Sequence, residues 1–548
     1  MASTTDSPPT TADYVVVGTG SAGAVLANRL SADPQVSVVA LEAGPPDSNR
    51  FVHVPAAFSK LFRTELDWDY ATEPQPALGG RRVYWPRGKL LGGSSSMNAM
   101  MWVRGFAADY DEWAELAGPE WSYREVLEYF RRIENTRDAA TVVDRTASGS
   151  DGPLHISRQR SPRSATAAYL TAVQQCGHPL AKPNSAQPEG FTETVVTQRR
   201  GARWSTADGY LKPAAHRKNL TVTTGALATR VLVERGRAVG VEYQTASGRQ
   251  VVHARREVVL CGGAVNSPQL LLLSGIGDRD QLAEHGIDVV HHAPEVGRNL
   301  KDHLCTPLGF DVKHDSLFTA EKPLELLNYL IRRRGMLTSN VGEAYGFVRS
   351  RPDLELPDLE LLFAPAPFFD EGLGDRYDTH AVVLGPILVR PRSTGSVTLA
   401  SADPTAKPRI DPRYLADERD REAMMTGLRM SAEIARAPAL RDVLGKVARP
   451  LPQASGAQRE LYVDDIDDEI LAEALRTTSQ TLYHPTGTCR MGRDERSVVD
   501  PELRVRGVEG LRVADASVMP EIIRGHTHAP AVVIGEKASD LIRSAVRA

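Results

Sequence analysis

Asp13-Tyr14-Val15-Val16-Val17-Gly18-Thr19-Gly20-Ser21-Ala22-Gly23 is the stretch that decides the fold. The β-branched run ending at Val17 reads as a strand buried on both faces. In the turn that follows, Gly18 permits a tight bend, Gly20 lets the backbone approach a pyrophosphate, and Gly23 lets helix and strand pack closely. Ala24 to Leu30 reads as a helix whose free N-terminal N–H groups and partial positive charge suit phosphate. Val36 to Leu41 reads as the next strand, and Glu42 at its end is placed to accept from ribose hydroxyls. A glycine triplet alone is weak evidence. With strand, helix and acid in these places it reads as a dinucleotide site, without separating NAD from FAD.

Around this unit the chain runs to 548 residues, a length that predicts about two to four domains at roughly 100–200 residues each. The formal net charge of -4 is small against 65 Lys+Arg and 69 Asp+Glu, so nothing points to nucleic acid or to a disordered acidic tail. Cys176, Cys261, Cys305 and Cys489 lie far apart with no CxxC, which excludes a disulfide framework and suits a reduced cytoplasm. The N-terminal MASTTDSPPTTA lacks the basic and apolar regions of a signal peptide and reads as a short tail, and the localisation expected is cytoplasmic. The most apolar long stretch, 258–277, is broken by Asn266, Ser267, Pro268 and Gln269, so no membrane span is expected.

Leu220-Thr221-Val222, Ala228 to Val233 and Val239 to Tyr243 alternate like antiparallel strands, and Val258 to Leu260 reads as a further buried strand. Between about 306 and 475 the chain has more proline and mixes strand-like runs with helices such as 421–435. Gly510 to Asp515 returns to the first style, a strand closing on an acid, and a helix is expected over 531–546.

Two more glycine-rich blocks carry chemistry. Gly88-Lys89-Leu90-Leu91-Gly92-Gly93-Ser94-Ser95-Ser96-Met97-Asn98 lets a backbone pass close to a flat or anionic ligand. Gly263 to Leu271, ending in Ser274-Gly275-Ile276-Gly277, is a turn after a buried strand and then a helix opened near a proline. With residues 88–111, 263–277, the block Val296-Gly297-Arg298-Asn299-Leu300-Lys301-Asp302-His303 and the closing segment 515–538, the sequence resembles the glucose–methanol–choline (GMC) oxidoreductases, bacterial choline and alcohol dehydrogenases in particular, along nearly its whole length.

The resemblance implies an α/β (α+β) fold: a discontinuous Rossmann-like FAD-binding domain with an inserted substrate domain of antiparallel sheet plus helices. The expected segments are 12–155, 201–305 and 476–548 for FAD, with 156–200 and 306–475 on the substrate side. It also turns the dinucleotide into FAD. Contacts are then expected from Gly18, Gly20, Ser21, Ala22, Gly23, Glu42, Ala43, Gly92, Ser95, Ala264, Asp515 and Ala516, with Met97, Asn98, Ala99 and Met100 beside the isoalloxazine. Some members attach FAD covalently through a histidine in the second block. Met97 stands there instead, so non-covalent FAD is expected.

Alcohol oxidation needs a base for the hydroxyl proton and an acceptor for a hydride. Histidine titrates near neutrality without perturbation. By resemblance His484 is the expected base and His526 the second hydroxyl ligand, with His528 at the flavin edge. The helix after Pro530 would aim its N-terminus at the flavin. Leu482 is expected near flavin C4a and Tyr483 beside the substrate. Glu343 and Tyr345 are candidates for a choline site, and Phe363, Phe368 and Phe369 for an apolar pocket. The expected substrate is a small primary alcohol, aryl or medium-chain, with O2 or another electron acceptor. A choline-type dehydrogenase and an FAD-containing hydroxynitrile lyase are the alternatives. No metal site is expected.

Overall fold

In the computed structural model of the protein, the described residues are 9–369, 372–373, 377–450 and 460–545. The first eight residues of the expected N-terminal tail lie outside them. The opening strand β1 (Thr11–Val17) is followed by helix α1 (Gly23–Leu30) and β2 (Val38–Leu41). All four β2 residues and all of β1 after Thr11 are buried, as the two-faced apolar pattern requires. Next come β3 (Leu220–Thr223), β4 (Leu227–Glu234), β5 (Arg237–Thr245), β6 (Gly248–Leu260) and α2 (Gly263–Leu273).

These strands form one sheet in the order β3-β2-β1-β6-β5-β4, and a short strand, Leu511–Val513, also pairs with β6. β4, β5 and the first part of β6 are antiparallel, as their alternation suggests. β3 departs from expectation: it lies parallel to β2, with Leu220 opposite Val38. A four-residue alternating run cannot tell the two directions apart. Its partner is decided by the chain between residues 42 and 219.

The register of the parallel strands positions the site. Val17 pairs with both Leu41 and Leu260, and Leu260 pairs with Val513. The residues just beyond the strands therefore emerge at one edge: Gly18, Glu42, Cys261 to Gly263, and Ala514-Asp515. Ligands of open α/β sheets bind outside that carboxyl edge.

The second sheet is antiparallel. It contains β7 (Leu304–Cys305), β8 (Leu308–Val312), β9 (Ala344–Val348), β10 (Leu359–Ala364), β11 (Ala381–Leu388), β12 (Leu444–Arg449) and β13 (Gln480–Thr481). Its main path is β9-β10-β11-β7-β13, with β8 on β11 and β12 on β8. Strands at 304–305 and 480–481 thus pair within this sheet, although they flank it in sequence. Helix α3 (Pro323–Arg332) lies between β8 and β9 in the chain. Helix α4 (Glu418–Arg436) covers β11 with buried Met424, Leu428 and Ala432. The last helix, α5 (His528–Ala545), begins before Pro530 rather than after it and packs on α1. No helix among the described residues is long and apolar enough to cross a membrane.

Candidate active site

A single cavity runs from the carboxyl edge of the first sheet to the face of the second. Gly18, Gly20, Ser21, Ala22, Glu42, Ala43, Ala264, Asp515 and Ala516 line one end. Met97, Asn98, Ala99 and Met100 follow, and Leu482, Tyr483, His484, His526 and His528 line the other end. The sequence places these residues up to about 500 positions apart, and the fold brings them to one wall.

The glycine turn is built for close approach. Gly18 has φ +93°, and a Cβ there would stand 2.6 Å from the Cys261 carbonyl oxygen. A Cβ on Gly93 would stand 2.7 Å from the Gly20 Cα, so the first two glycine-rich blocks touch backbone to backbone. Glu42 is buried and accepts from Thr19 N at 3.0 Å, Thr19 Oγ1 at 2.7 Å and Gly44 N at 3.0 Å. Asp515 accepts from Gly263 N, Ser267 Oγ and Ser517 N at 2.8, 2.6 and 2.8 Å. Burial raises the pKa of both carboxyls. Gly23, Gly92 and Ser95 do not line the cavity; they support its wall. Ser95 Oγ donates to the Gly92 carbonyl at 2.6 Å and meets Thr206 Oγ1 at 2.8 Å.

Arg203 was not foreseen. Its guanidinium is buried, donates to Asn98 Oδ1 at 2.7 Å and to the Val52 carbonyl at 2.7 Å, and leaves Nη2 without a hydrogen-bond partner among the described residues. Desolvation lowers its pKa to about 9. A cradle open only to glycine, an acid at the second strand end and an unsatisfied buried cation beside Asn98 together fit a long anionic dinucleotide.

At the far end three histidines meet. His484 and His526 rings are 4.7 Å apart between centroids. His484 Nδ1 lies 3.0 Å from His303 Nδ1. Burial, with His526, His303 and Arg87 nearby, holds the His484 pKa well below the usual histidine value. His303 is fully buried, and desolvation holds its pKa at about 3. The backbone of His484 is fixed by Asp302, whose Oδ1 accepts from His484 N at 2.8 Å, while Oδ2 accepts from Thr481 Oγ1 at 2.6 Å and from the Tyr414 hydroxyl. Burial pushes the Asp302 pKa up to about 6. Tyr483, just before His484, has φ +67°, an uncommon conformation for a bulky residue. Its N–H donates to Thr481 Oγ1 at 2.7 Å, and its carbonyl accepts from Arg87 Nη2 at 2.7 Å.

His526 Nε2 meets both oxygens of Glu360, at 3.2 and 3.1 Å. His528, at the start of α5, reaches the glycine turn through Ser21 Oγ at 2.9 Å, and burial holds its pKa at about 4.

Two expected substrate residues lie elsewhere. Glu343 is buried, and its carboxylate is occupied by Arg163 N, Thr166 Oγ1 and Ser339 Oγ at 2.7, 2.6 and 2.6 Å. Phe363 stacks on Tyr169 at 4.7 Å in the core of the second sheet. Strand parity explains it: Leu362 and Ala364, not Phe363, line the cavity, and Glu360 shares their face of β10. Tyr345 is buried beside His526, 6.4 Å between rings. Phe368 lines the cavity, whereas Phe369 packs on Tyr377. His303, Glu360 and Arg203 were missed. His303 closes the Val296–His303 block, and Glu360 could be found only from the parity of its strand.

One further group, Asp47, His53 and Asp208, brings its candidate ligand atoms within 4.8 Å of one another. The Lys212 ammonium stands 2.8 Å from Asp47 and 2.7 Å from Asp208 and already supplies the positive charge.

Residues 12–305 and 391–535 match the two family models described as GMC oxidoreductase. The chain is 70% identical over 537 residues to an uncharacterised GMC-type oxidoreductase of Mycobacterium tuberculosis, covering 98% of this chain and 100% of the relative. It is 40% identical over 548 residues to an alcohol dehydrogenase [acceptor] of Pseudomonas putida, covering 97% and 95%. A solved structure of Aspergillus oryzae formate oxidase, from work on its FAD modification, superposes with a TM-score of 0.89 at 28% identity, covering 99% and 100%. With the cavity's dinucleotide end, these likenesses make the cofactor FAD, and the chain belongs to the GMC oxidoreductase family, enzymes acting on CH–OH groups.

Proposed function

We propose that the protein oxidises a primary alcohol, aryl or medium-chain, to its carbonyl compound, with His484 taking the hydroxyl proton. Bound FAD supplies the hydride acceptor, at flavin N5. The observation that carries the proposal is the paired His303 and His484 beside His526 at the end of the cavity opposite the glycine turn.

Two facing Nδ1 atoms require one N–H between them. The general-base role needs His303 as the acceptor of that N–H. His484 then donates its Nδ1–H to His303 and keeps a free lone pair on Nε2. Its lowered pKa leaves the ring neutral at neutral pH, which is the form a general base needs. Glu360 orients His526, which is placed to hold the substrate oxygen.

The wall near the histidines is apolar: Phe58, Phe62, Leu362, Phe368 and Val383. Among the described residues the only carboxylates lining the cavity are Glu42 and Asp515, both at the glycine turn. A quaternary ammonium would lack the counter-charge it wants beside its cage. That favours a neutral alcohol over choline. Met97, buried at the wall, has no nucleophilic nitrogen, and FAD is held non-covalently. Acid precipitation should leave the yellow colour in the supernatant.

The reaction is tested by anaerobic flavin reduction across choline, benzyl, aliphatic and sugar alcohols. Bleaching by benzyl or aliphatic alcohols supports it, and bleaching by choline alone overturns the substrate class. A peroxide assay beside a dye-reduction assay distinguishes O2 from another acceptor. Cyanohydrin cleavage with the flavin left oxidised would make the protein a lyase instead.

A further inference from the structure

Helix α3 is turned inside out. Leu324, Leu326, Leu327, Leu330 and Ile331 are 79%, 47%, 53%, 59% and 72% exposed. They are five of the ten large apolar side chains exposed among the described residues, so the exposure is concentrated in one place. At about 100° per residue they form one continuous arc. The opposite side faces the protein with polar groups: Glu325 accepts from Met336 N at 3.0 Å, and the buried Tyr329 donates its hydroxyl to the His53 carbonyl at 3.2 Å. A ten-residue helix that spends its polar face inward and its apolar face outward is built for a partner.

The charge around the arc says what kind. Lys322 precedes it and Arg332-Arg333-Arg334 follow it, all exposed, against Glu321 and Glu325. Glu321 already pairs with Lys60 at 2.5 Å. We propose that α3 is a peripheral membrane-binding element that lays its leucine face into a bilayer carrying anionic lipid, with the arginine run on the headgroups. A second copy of the chain fits less well. Packing two such faces together would double the cationic run without adding free carboxylates.

The position has a functional consequence. Tyr329 and the Lys60–Glu321 pair tie α3 to the segment 53–62, whose Phe58 and Phe62 line the active-site cavity. Docking through α3 would bring that wall of the cavity to the bilayer, where apolar alcohols and apolar electron acceptors concentrate. The binding itself does not depend on which reaction the cavity performs.

The test is flotation of the FAD-loaded full chain with vesicles of phosphatidylcholine alone or with phosphatidylglycerol added. Binding to the anionic vesicles is expected, weakened at least tenfold by Leu327→Glu with Ile331→Glu. Arg332→Gln, Arg333→Gln and Arg334→Gln together should weaken it by roughly a hundredfold. Flavin content should stay unchanged in both variants. No binding to anionic vesicles, or binding indifferent to both variants, would overturn the proposal. So would sedimentation showing a dimer that Leu327→Glu with Ile331→Glu dissociates while the wild type fails to float.

Discussion

His484 Nδ1 stands 3.0 Å from Nδ1 of His303, a residue 181 positions earlier in the chain. If His484 donates across this contact, its proton sits on Nδ1 and Nε2 is left free to act as base, as the proposed mechanism requires. On that mechanism His303 is a positioning residue: it touches His484 and does not line the cavity. His303→Phe removes the acceptor and should slow flavin reduction by an alcohol on the order of a hundredfold, within the range carried by general-base catalysis. Asn, whose side-chain oxygen can take the place of Nδ1, should restore at least tenfold of that loss. Equal loss in both variants would assign His303 to packing alone.

The pH profile follows from the depressed His484 pKa. A base works when neutral. A folded-state pKa below the ordinary 6.5 keeps it neutral to lower pH, so activity is lost only as pH falls through that lowered value. The kcat/KM profile should therefore stay flat down through pH 6.5 and drop on its acidic side. An acidic limb centred above 6.5 would contradict the assignment.

Glu360 holds His526 from behind, at 3.1 Å. Glu360→Gln keeps the shape and removes the charge. Rates of flavin reduction should fall by about tenfold, less than the roughly 10²–10⁴ expected for loss of a general base itself. Flavin content should be unchanged, because the pair sits at the end of the cavity opposite the glycine turn. A variant that loses FAD would show that Glu360 serves the fold.

Gly18→Ala should empty the cofactor site. The substitution strains a φ of +93° and drives a methyl to 2.6 Å from the Cys261 carbonyl oxygen. A cost of about 1–3 kcal/mol for the conformation alone, plus the clash, is expected. Gly177→Ala is the control: its φ is +84°, with nothing within 4 Å of the new Cβ. FAD content and the thermal midpoint should fall much further in the first variant than in the second.

The first βαβ unit was legible because its constraints are local. Val15 to Val17, the glycines and Glu42 lie within about thirty residues, and each has a backbone reason for its type. The direction of Leu220–Thr223 was not legible, since its partner, Val38–Leu41, lies far back in the chain. His303 was visible only as part of a block. Its meaning depends on a ring 181 residues away. Glu343 and Phe363 suggest a substrate site only by side-chain type, a carboxylate and an aromatic in the right region. The structure sorts residues by strand face instead, which turns Phe363 onto Tyr169 and leaves Glu360 beside His526. Residues brought together from strands, helices and loops far apart in the chain carry no local signature.

The most direct test of His484 as the base is anaerobic flavin reduction by a primary alcohol, followed in rapid mixing with wild type and His484→Ala and with the aldehyde quantified. The proposed mechanism predicts bleaching of the flavin with one aldehyde formed per flavin, slowed by at least about a hundredfold in His484→Ala while FAD stays bound. Equal rates in the two proteins, or an FAD-loaded wild type that no alcohol bleaches, would contradict it.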